Sequence, residues 1–89
     1  MEQVKQNLFN ALNCIEKIID LEDFPAYRSI QKGLISSIES IDNNNIELAK
    51  KHLSFCLRLL NEAPPKNSNL GYEALIQMDA AFKLINSIN

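Results

Sequence analysis

Apolar residues recur every three or four positions along four segments of the chain, which is the spacing of amphipathic helices. The pattern predicts helices over about residues 3–21, 25–41, 46–62 and 70–88. Each helix is expected to bury one side, because the remaining positions hold mostly charged and amide side chains. The buried stripe of the first helix is expected to comprise Val4, Leu8, Ala11, Leu12, Ile15, Ile18 and Ile19.

The other three helices repeat this spacing. In the second helix the expected inner positions are Tyr27, Ile30, Leu34, Ile35, Ile38 and Ile41. In the third helix they are Ile46, Ala49, Leu53, Cys56, Leu57 and Leu60. In the fourth helix they are Leu70, Ala74, Leu75, Met78, Ala81, Phe82, Ile85 and Ile88. The four stripes together are expected to form one core.

Proline and polar clusters mark the ends of the predicted helices. Pro25 is best tolerated in the first turn of a helix, so Asp23 or Phe24 is expected at the cap position. Asp23 is the better chemical candidate, because its carboxylate can accept hydrogen bonds from the free amides of the first turn. Residues 42–45 form a polar turn, and residues 63–69 form a longer, proline-containing loop.

Length and connectors together predict the architecture. A chain of 89 residues leaves room for one core only. Short connectors place consecutive helices side by side in opposite directions. The expected fold is therefore all-α, a single helical domain over residues 1–89 built as an antiparallel up-down four-helix bundle. Gly33 weakens the second helix and is expected to permit the close approach of a neighbouring helix or of a partner.

Composition and charge exclude several classes of function. Apolar residues make up 46% and charged residues 22% of the chain, which is typical of a folded domain. The net charge of -2 provides no cationic field, so a nucleic-acid partner is not expected. The sequence lacks both a membrane-spanning stretch and a secretory signal pattern, which predicts a cytoplasmic protein without a membrane partner. Cys14 and Cys56 lie on apolar stripes and are expected to be free thiols in the core.

The sequence offers little catalytic or metal-binding chemistry. His52 and Cys56, one helical turn apart, are the only local pair with ligand or nucleophile chemistry, and no second cluster completes a zinc site. Phosphate-binding glycine loops and nucleophile motifs are missing from the sequence. The carboxylates Glu16 and Asp20 are spaced by one turn, but no cleft is expected around them. The protein is therefore expected not to be an enzyme and to use no cofactor or metal.

Charge is distributed unevenly along the chain. Residues 1–23 carry Lys5 and Lys17 against five acidic side chains, a local balance of -3. Aromatic and arginine side chains follow this acidic segment, and such a mixture is typical of a protein-binding hot spot. The expected partner-binding residues are Glu16, Asp20, Glu22, Asp23, Tyr27 and Arg28. In the alternative interpretation, Phe24 packs on the start of the second helix and Tyr27 lies in the core.

The segment Asp-Phe-Pro-Ala-Tyr at residues 23–27 resembles the aromatic-Pro-x-Tyr opening of helix 2 in small cytosolic immunity proteins of bacterial type VI secretion. The likeness covers most of the chain from the second helix onward, through Ile30, Leu34, Ile38, His52, Leu53, Pro65 and Leu70. Those immunity proteins neutralise effectors that hydrolyse NAD(P)+. The resemblance implies an inhibitor that binds a cognate protein toxin, an NAD(P)+ glycohydrolase, and occludes its active site. A nuclease toxin is the nearest variant.

A second function class follows from apolar residues outside the predicted stripes. Phe9, Phe55 and Tyr72 are left over when the four inner sides are assigned. Helical bundles commonly dimerise through such a strip. The alternative to an inhibitor is therefore a self-associating structural or adaptor bundle, such as a homodimer.

Overall fold

The computed structural model describes residues 1–88 as four helices joined by short connectors. The helices are α1 (Glu2–Leu21), α2 (Pro25–Asp42), α3 (Ile46–Glu62) and α4 (Ser68–Asn86). The part of the chain described contains no strand. The predicted all-α class is confirmed, and the predicted helix ends differ from the observed ones by at most two residues.

The helices form a ring in chain order. Helix α1 packs against α2 and α4, and α3 packs against the same two helices, while no Cα atoms of the diagonal pairs come within 8 Å of each other in residues 1–88. Lys5 pairs with Asp42 and Glu16 with Gln31, so residue numbers that rise along α1 fall along α2. The expected up-down four-helix bundle is thus observed, with extents of 36 × 19 × 19 Å. The α1–α2 and α3–α4 seams lie on opposite sides of the ring.

The core is filled by side chains from all four inner stripes. Its largest fully buried residues include Tyr27, Leu8, Ile15, Ile30, Leu34, Leu53, Met78 and Ile85. Two positions expected inside are wrong. Ile35 is 41% exposed, because the helix turns it by about 100° from the buried Leu34, and the exposed Ile88 follows the end of α4. Cys56 is fully buried as expected, whereas Cys14 is only half-buried; both thiols are free.

The first residues of the helices show which of the predicted cap residues are correct and which one is wrong. Asn45 and Asn67 cap α3 and α4, since their side-chain oxygens accept hydrogen bonds from the Leu48 and Leu70 amides at 3.2 and 3.0 Å. The cap position of α2 is occupied by Phe24, which provides no side-chain hydrogen bond. Asp23 was the better chemical candidate for that position, but its carboxylate binds Arg28 instead.

Gly33 lies at a close contact between α2 and α3. A Cβ at this position would overlap the Sγ atom of Cys56, so the glycine serves an intramolecular contact. Beside it, the Ser37 hydroxyl donates to the Ala49 carbonyl at 3.0 Å, and the Cys56 thiol donates to the Ile30 carbonyl at 3.5 Å. No helix among residues 1–88 has the length and apolar character needed to cross a bilayer.

Candidate binding surfaces

The predicted acidic residues gather at the end of the bundle where α1 ends and α2 begins. We call Glu16, Asp20, Glu22 and Asp23 the acidic corner. Glu16, Asp20 and Asp23 are exposed, and Glu22 is half-buried. The corner therefore offers carboxylates to solvent on a surface formed by two helix ends and their connector.

Asp23 and Arg28 form a bidentate ion pair on this surface. The Arg28 Nε and Nη2 atoms donate to the two carboxylate oxygens of Asp23 at 2.8 and 2.7 Å. These hydrogen bonds, and then the guanidinium charge, hold the pKa of the Asp23 carboxyl below its ordinary value. The same hydrogen bonds and the charge of Asp23 raise the pKa of Arg28. Asp23 is thus already partly neutralised within the chain.

Two hydrogen bonds tie the acidic corner to the loop between α3 and α4. A Glu22 carboxylate oxygen accepts from the Lys66 backbone amide at 2.7 Å. The Tyr27 hydroxyl donates to the Ala63 carbonyl at 2.9 Å. Next to these bonds, the buried Pro65 lies against Gly71, where a Cβ would come within 2.7 Å of the proline Cγ. These contacts hold the acidic corner against the α3–α4 loop, although two of its four residues lie in the connector between α1 and α2.

Tyr27 does not belong to the exposed surface. Its side chain is only 1% exposed, and its hydroxyl is already used inside the protein. Burial, and secondarily the charge of Glu22, raise the pKa of this phenol. The exposed Phe24 ring stacks on it, with ring centroids 5.9 Å apart. The sequence left two positions open for Tyr27, one in the core and one on the binding surface, and the structure places it in the core. Tyr27 therefore supports the acidic corner from inside and is not exposed to a partner.

Glu16 and Asp20 remain the least committed carboxylates of the corner. They line a shallow groove between α1 and α2 together with Ile19, Arg28 and Gln31. Glu16 accepts one long hydrogen bond from Gln31 at 3.4 Å, and neither carboxylate joins an ion pair within residues 1–88. Asp20 also lies in the last turn of α1, which contains no basic residue. The free carbonyls at the C-terminus of α1 add to the negative charge of Glu16 and Asp20, and Arg28, in the same groove, offsets part of it.

A second surface is an apolar groove between α3 and α4, which the sequence did not predict. This α3–α4 groove has a volume of about 480 Å3 and is lined by Leu57, Asn61, Tyr72, Leu75, Ile76, Asp79 and Phe82. Three of these, Leu57, Leu75 and Phe82, were expected inside but are only half-buried. The α3–α4 pair has the sparsest contacts in the ring, so its seam stays open.

The predicted strip of Phe9, Phe55 and Tyr72 is not continuous. Phe55 lies beside Gly33 on the α2 side of α3, and the Arg58 guanidinium sits 5.7 Å from its ring centre. Tyr72 lines the α3–α4 groove instead. Phe9 is exposed on α1, whose Cα atoms stay more than 8 Å from those of α3. Phe55 and Tyr72 thus lie at different seams of the bundle, so the three rings do not form one strip.

The structure provides no reactive thiol or metal cluster at the one pair noted in the sequence. Cys56, beside His52 in α3, is fully buried, and burial raises the pKa of its thiol to about 12. A thiol in this state is a poor nucleophile and a poor metal ligand. Across residues 1–88, no three His, Cys, Asp or Glu side chains converge in a way that could hold a metal ion.

Comparison with protein-family models, curated proteins and solved structures gives no match to this chain. The relation to type VI immunity proteins therefore depends on the residues of the sequence alone and stays a prediction. The arguments for function that follow start from the two surfaces described above.

Proposed function

We propose that this protein is an immunity protein that binds a cognate bacterial toxin domain through its acidic corner and occludes the toxin's active site. The toxin expected from the sequence resemblance is an NAD(P)+ glycohydrolase. The observation that carries the proposal is a pair of exposed carboxylates, Glu16 and Asp20, that form no ion pair with any basic group among residues 1–88. Such a surface favours a cationic partner.

The chemistry of the proposed target fits this surface. A protein that binds a dinucleotide offers cationic side chains or helix N-termini to the pyrophosphate, and such groups also attract carboxylates. Charge complementarity of this kind increases the association rate and the specificity of a complex. Arg28 and Asp23, exposed beside the groove, add a planar ion pair whose hydrogen-bonding edges remain open to a partner.

Rigidity supports the same conclusion. The hydrogen bonds from Tyr27 and to Glu22 fix the corner against the α3–α4 loop before any partner arrives. A preorganised surface loses little conformational entropy on binding. Occlusion needs no internal pocket, since a bundle 19 Å wide covers a cleft by its bulk alone. An inhibitor that acts by occlusion thus needs a preorganised binding surface and sufficient bulk, and this end of the bundle has both.

The proposal is tested with the protein encoded immediately upstream of the gene for this chain, where the proposal predicts a toxin domain. This domain is produced in a bacterial host with and without the protein, and growth and cellular NAD+ are measured. We expect co-production to restore both. If the upstream gene encodes a toxin and the protein neither binds it nor restores growth, the inhibitor role is wrong.

A charge-reversed pair separates the acidic corner from the rest of the surface. Glu16→Lys with Asp20→Lys is expected to slow association with the toxin by about tenfold or more at low salt, and the difference should shrink as salt screens it. The matched control is Glu2→Lys with Glu39→Lys, which changes the net charge equally at the opposite end of the bundle. Equal association rates for the two double variants would show that the acidic corner is not part of the interface.

A further inference from the structure

The α3–α4 groove poses a separate question, because apolar side chains lie in water there. Tyr72 is 66% exposed and Ile76 is 42% exposed, and both border the half-buried Leu57, Leu75 and Phe82. A helix with apolar residues on more than its inner side is normally covered on that side as well. Something is therefore expected to cover the outer side of α4.

We propose that a second copy of this chain covers it, so that the protein forms a symmetric dimer through its α3–α4 grooves. This inference does not depend on the inhibitor role. A symmetric contact requires that one surface carry both a projection and the depression that receives it. The α3–α4 face has both, since the protruding Tyr72 borders a groove of about 480 Å3 with an apolar floor.

The charges of this face favour a copy of itself over a charged partner. Helices α3 and α4 carry four basic and four acidic side chains, and thus no net charge. Three ion pairs neutralise most of them locally: Lys83 with Asp79 at 3.0 Å, Arg58 with Glu62 at 3.9 Å, and Lys50 with Glu47 at 3.5 Å. Two such faces can meet without electrostatic repulsion. A strongly charged partner, in contrast, would find no opposite net charge on this face.

The size of the face comes close to what a dimer needs. One side of the bundle measures 36 by 19 Å, a flat footprint of roughly 680 Å2. A stable interface of standard size buries about 800 Å2 on each partner, and side chains that project from the face add area to its footprint. The α3–α4 face is large enough when its whole length is used. The acidic corner, on the opposite seam of the ring, stays free in such a dimer.

The test is sedimentation equilibrium of the purified protein from low-micromolar to near-millimolar concentration. We expect a reversible rise from the monomer mass of 10.1 kDa to about twice that value. Ile76→Glu should weaken the dimer about a hundredfold, because the symmetry repeats the substitution and each buried charge costs at least a factor of ten. Tyr72→Ala should weaken it in the same direction by removing the projection.

Ile35→Glu is the matched control, since Ile35 is 41% exposed and lies on α2, away from the groove. It should leave the dimer unchanged, and circular dichroism should show equal helix content for all three variants. A mass that stays at 10.1 kDa at every concentration overturns the proposal. So does a dimer that resists Ile76→Glu and Tyr72→Ala but dissociates with Ile35→Glu. Either result leaves the toxin-protection assay unaffected, so the two proposals fail separately.

Discussion

The contact between Gly33 and Cys56 gives the sharpest test of how the bundle is packed. A Cβ added at Gly33 would overlap the Cys56 Sγ atom, which is itself fully buried and cannot swing into solvent. Gly33→Ala therefore sets two effects against each other. Alanine favours the helix by about 0.8–1 kcal/mol over glycine. Overpacking a filled interior costs about 1–3 kcal/mol.

We expect the steric cost to win, so that Gly33→Ala lowers the free energy of unfolding by up to about 2 kcal/mol. Cys56→Ala alone removes one buried heavy atom, a loss comparable to Ile→Val at about 0.5–1.5 kcal/mol. In the double variant the new methyl group enters the space that the sulfur leaves. The double variant should then lie within about 1 kcal/mol of the wild type, because buried volume is conserved and the helix gains propensity.

The measurement is a double-mutant cycle from denaturant unfolding followed by circular dichroism. A coupling energy of about 1–3 kcal/mol is expected, with unchanged denaturant slopes. Ser29→Ala serves as the control, since Ser29 is exposed on the same helix and reports helix propensity without a steric term. If Gly33→Ala stabilises the protein as much as propensity allows and the cycle shows no coupling, the reasoning about the α2–α3 contact is refuted.

Three further predictions concern the acidic corner. Tyr27→Phe removes the hydrogen bond to the Ala63 carbonyl and should lower the free energy of unfolding by about 0.5–1.5 kcal/mol in the same denaturation assay; an unchanged midpoint would contradict it. Because Arg28 holds the pKa of Asp23 below its ordinary value, their pair stabilises the fold above the unfolded-state pKa of about 3.9, and this contribution is lost as the pH falls through the folded pKa. In Arg28→Met, the free energy of unfolding should therefore depend less on pH in the acid range. The Asp23 pKa, measured by NMR titration, should return toward its ordinary value, and an unshifted titration would rule out the pair as the cause. Asp20→Lys should stabilise the protein by about 0.3–1 kcal/mol, because it places a cation at the C-terminus of α1, and a lower melting temperature would show that Asp20 has a structural role.

The helices were predictable because their signals are local. Apolar spacing within each segment fixes which side is buried, and Asn45 acts as a cap on residues only three positions away. Pro25 marked the start of α2 correctly, because its ring fits the first turn wherever the helix packs. Even the close contact at Gly33 was anticipated, since a glycine inside a helix usually needs a packing reason.

The surfaces depended on distances between helices, which no local pattern reports. The partner of the Tyr27 hydroxyl is a carbonyl 36 residues away, so the sequence could not decide between core and surface for this side chain. The choice of Asp23 as cap failed because α2 begins at Pro25, which makes Phe24 the cap residue, and the Asp23 carboxylate pairs with Arg28, five residues on. The α3–α4 groove exists because that seam is looser than its neighbours, and Leu57 follows the same spacing whether a seam is open or closed.

Both proposed surfaces contain groups that are unfavourable for the chain alone. Asp20 places a negative charge at the negative end of α1, and Tyr72 and Ile76 place apolar area in water. Neither feature stabilises the isolated chain, and a domain of this size has little stability to lose. Such local conflicts are typical of sites that act on another molecule. Because the two surfaces lie on opposite seams of the ring, a dimer through α3 and α4 would carry two acidic corners facing outward, and each copy would bind its own target.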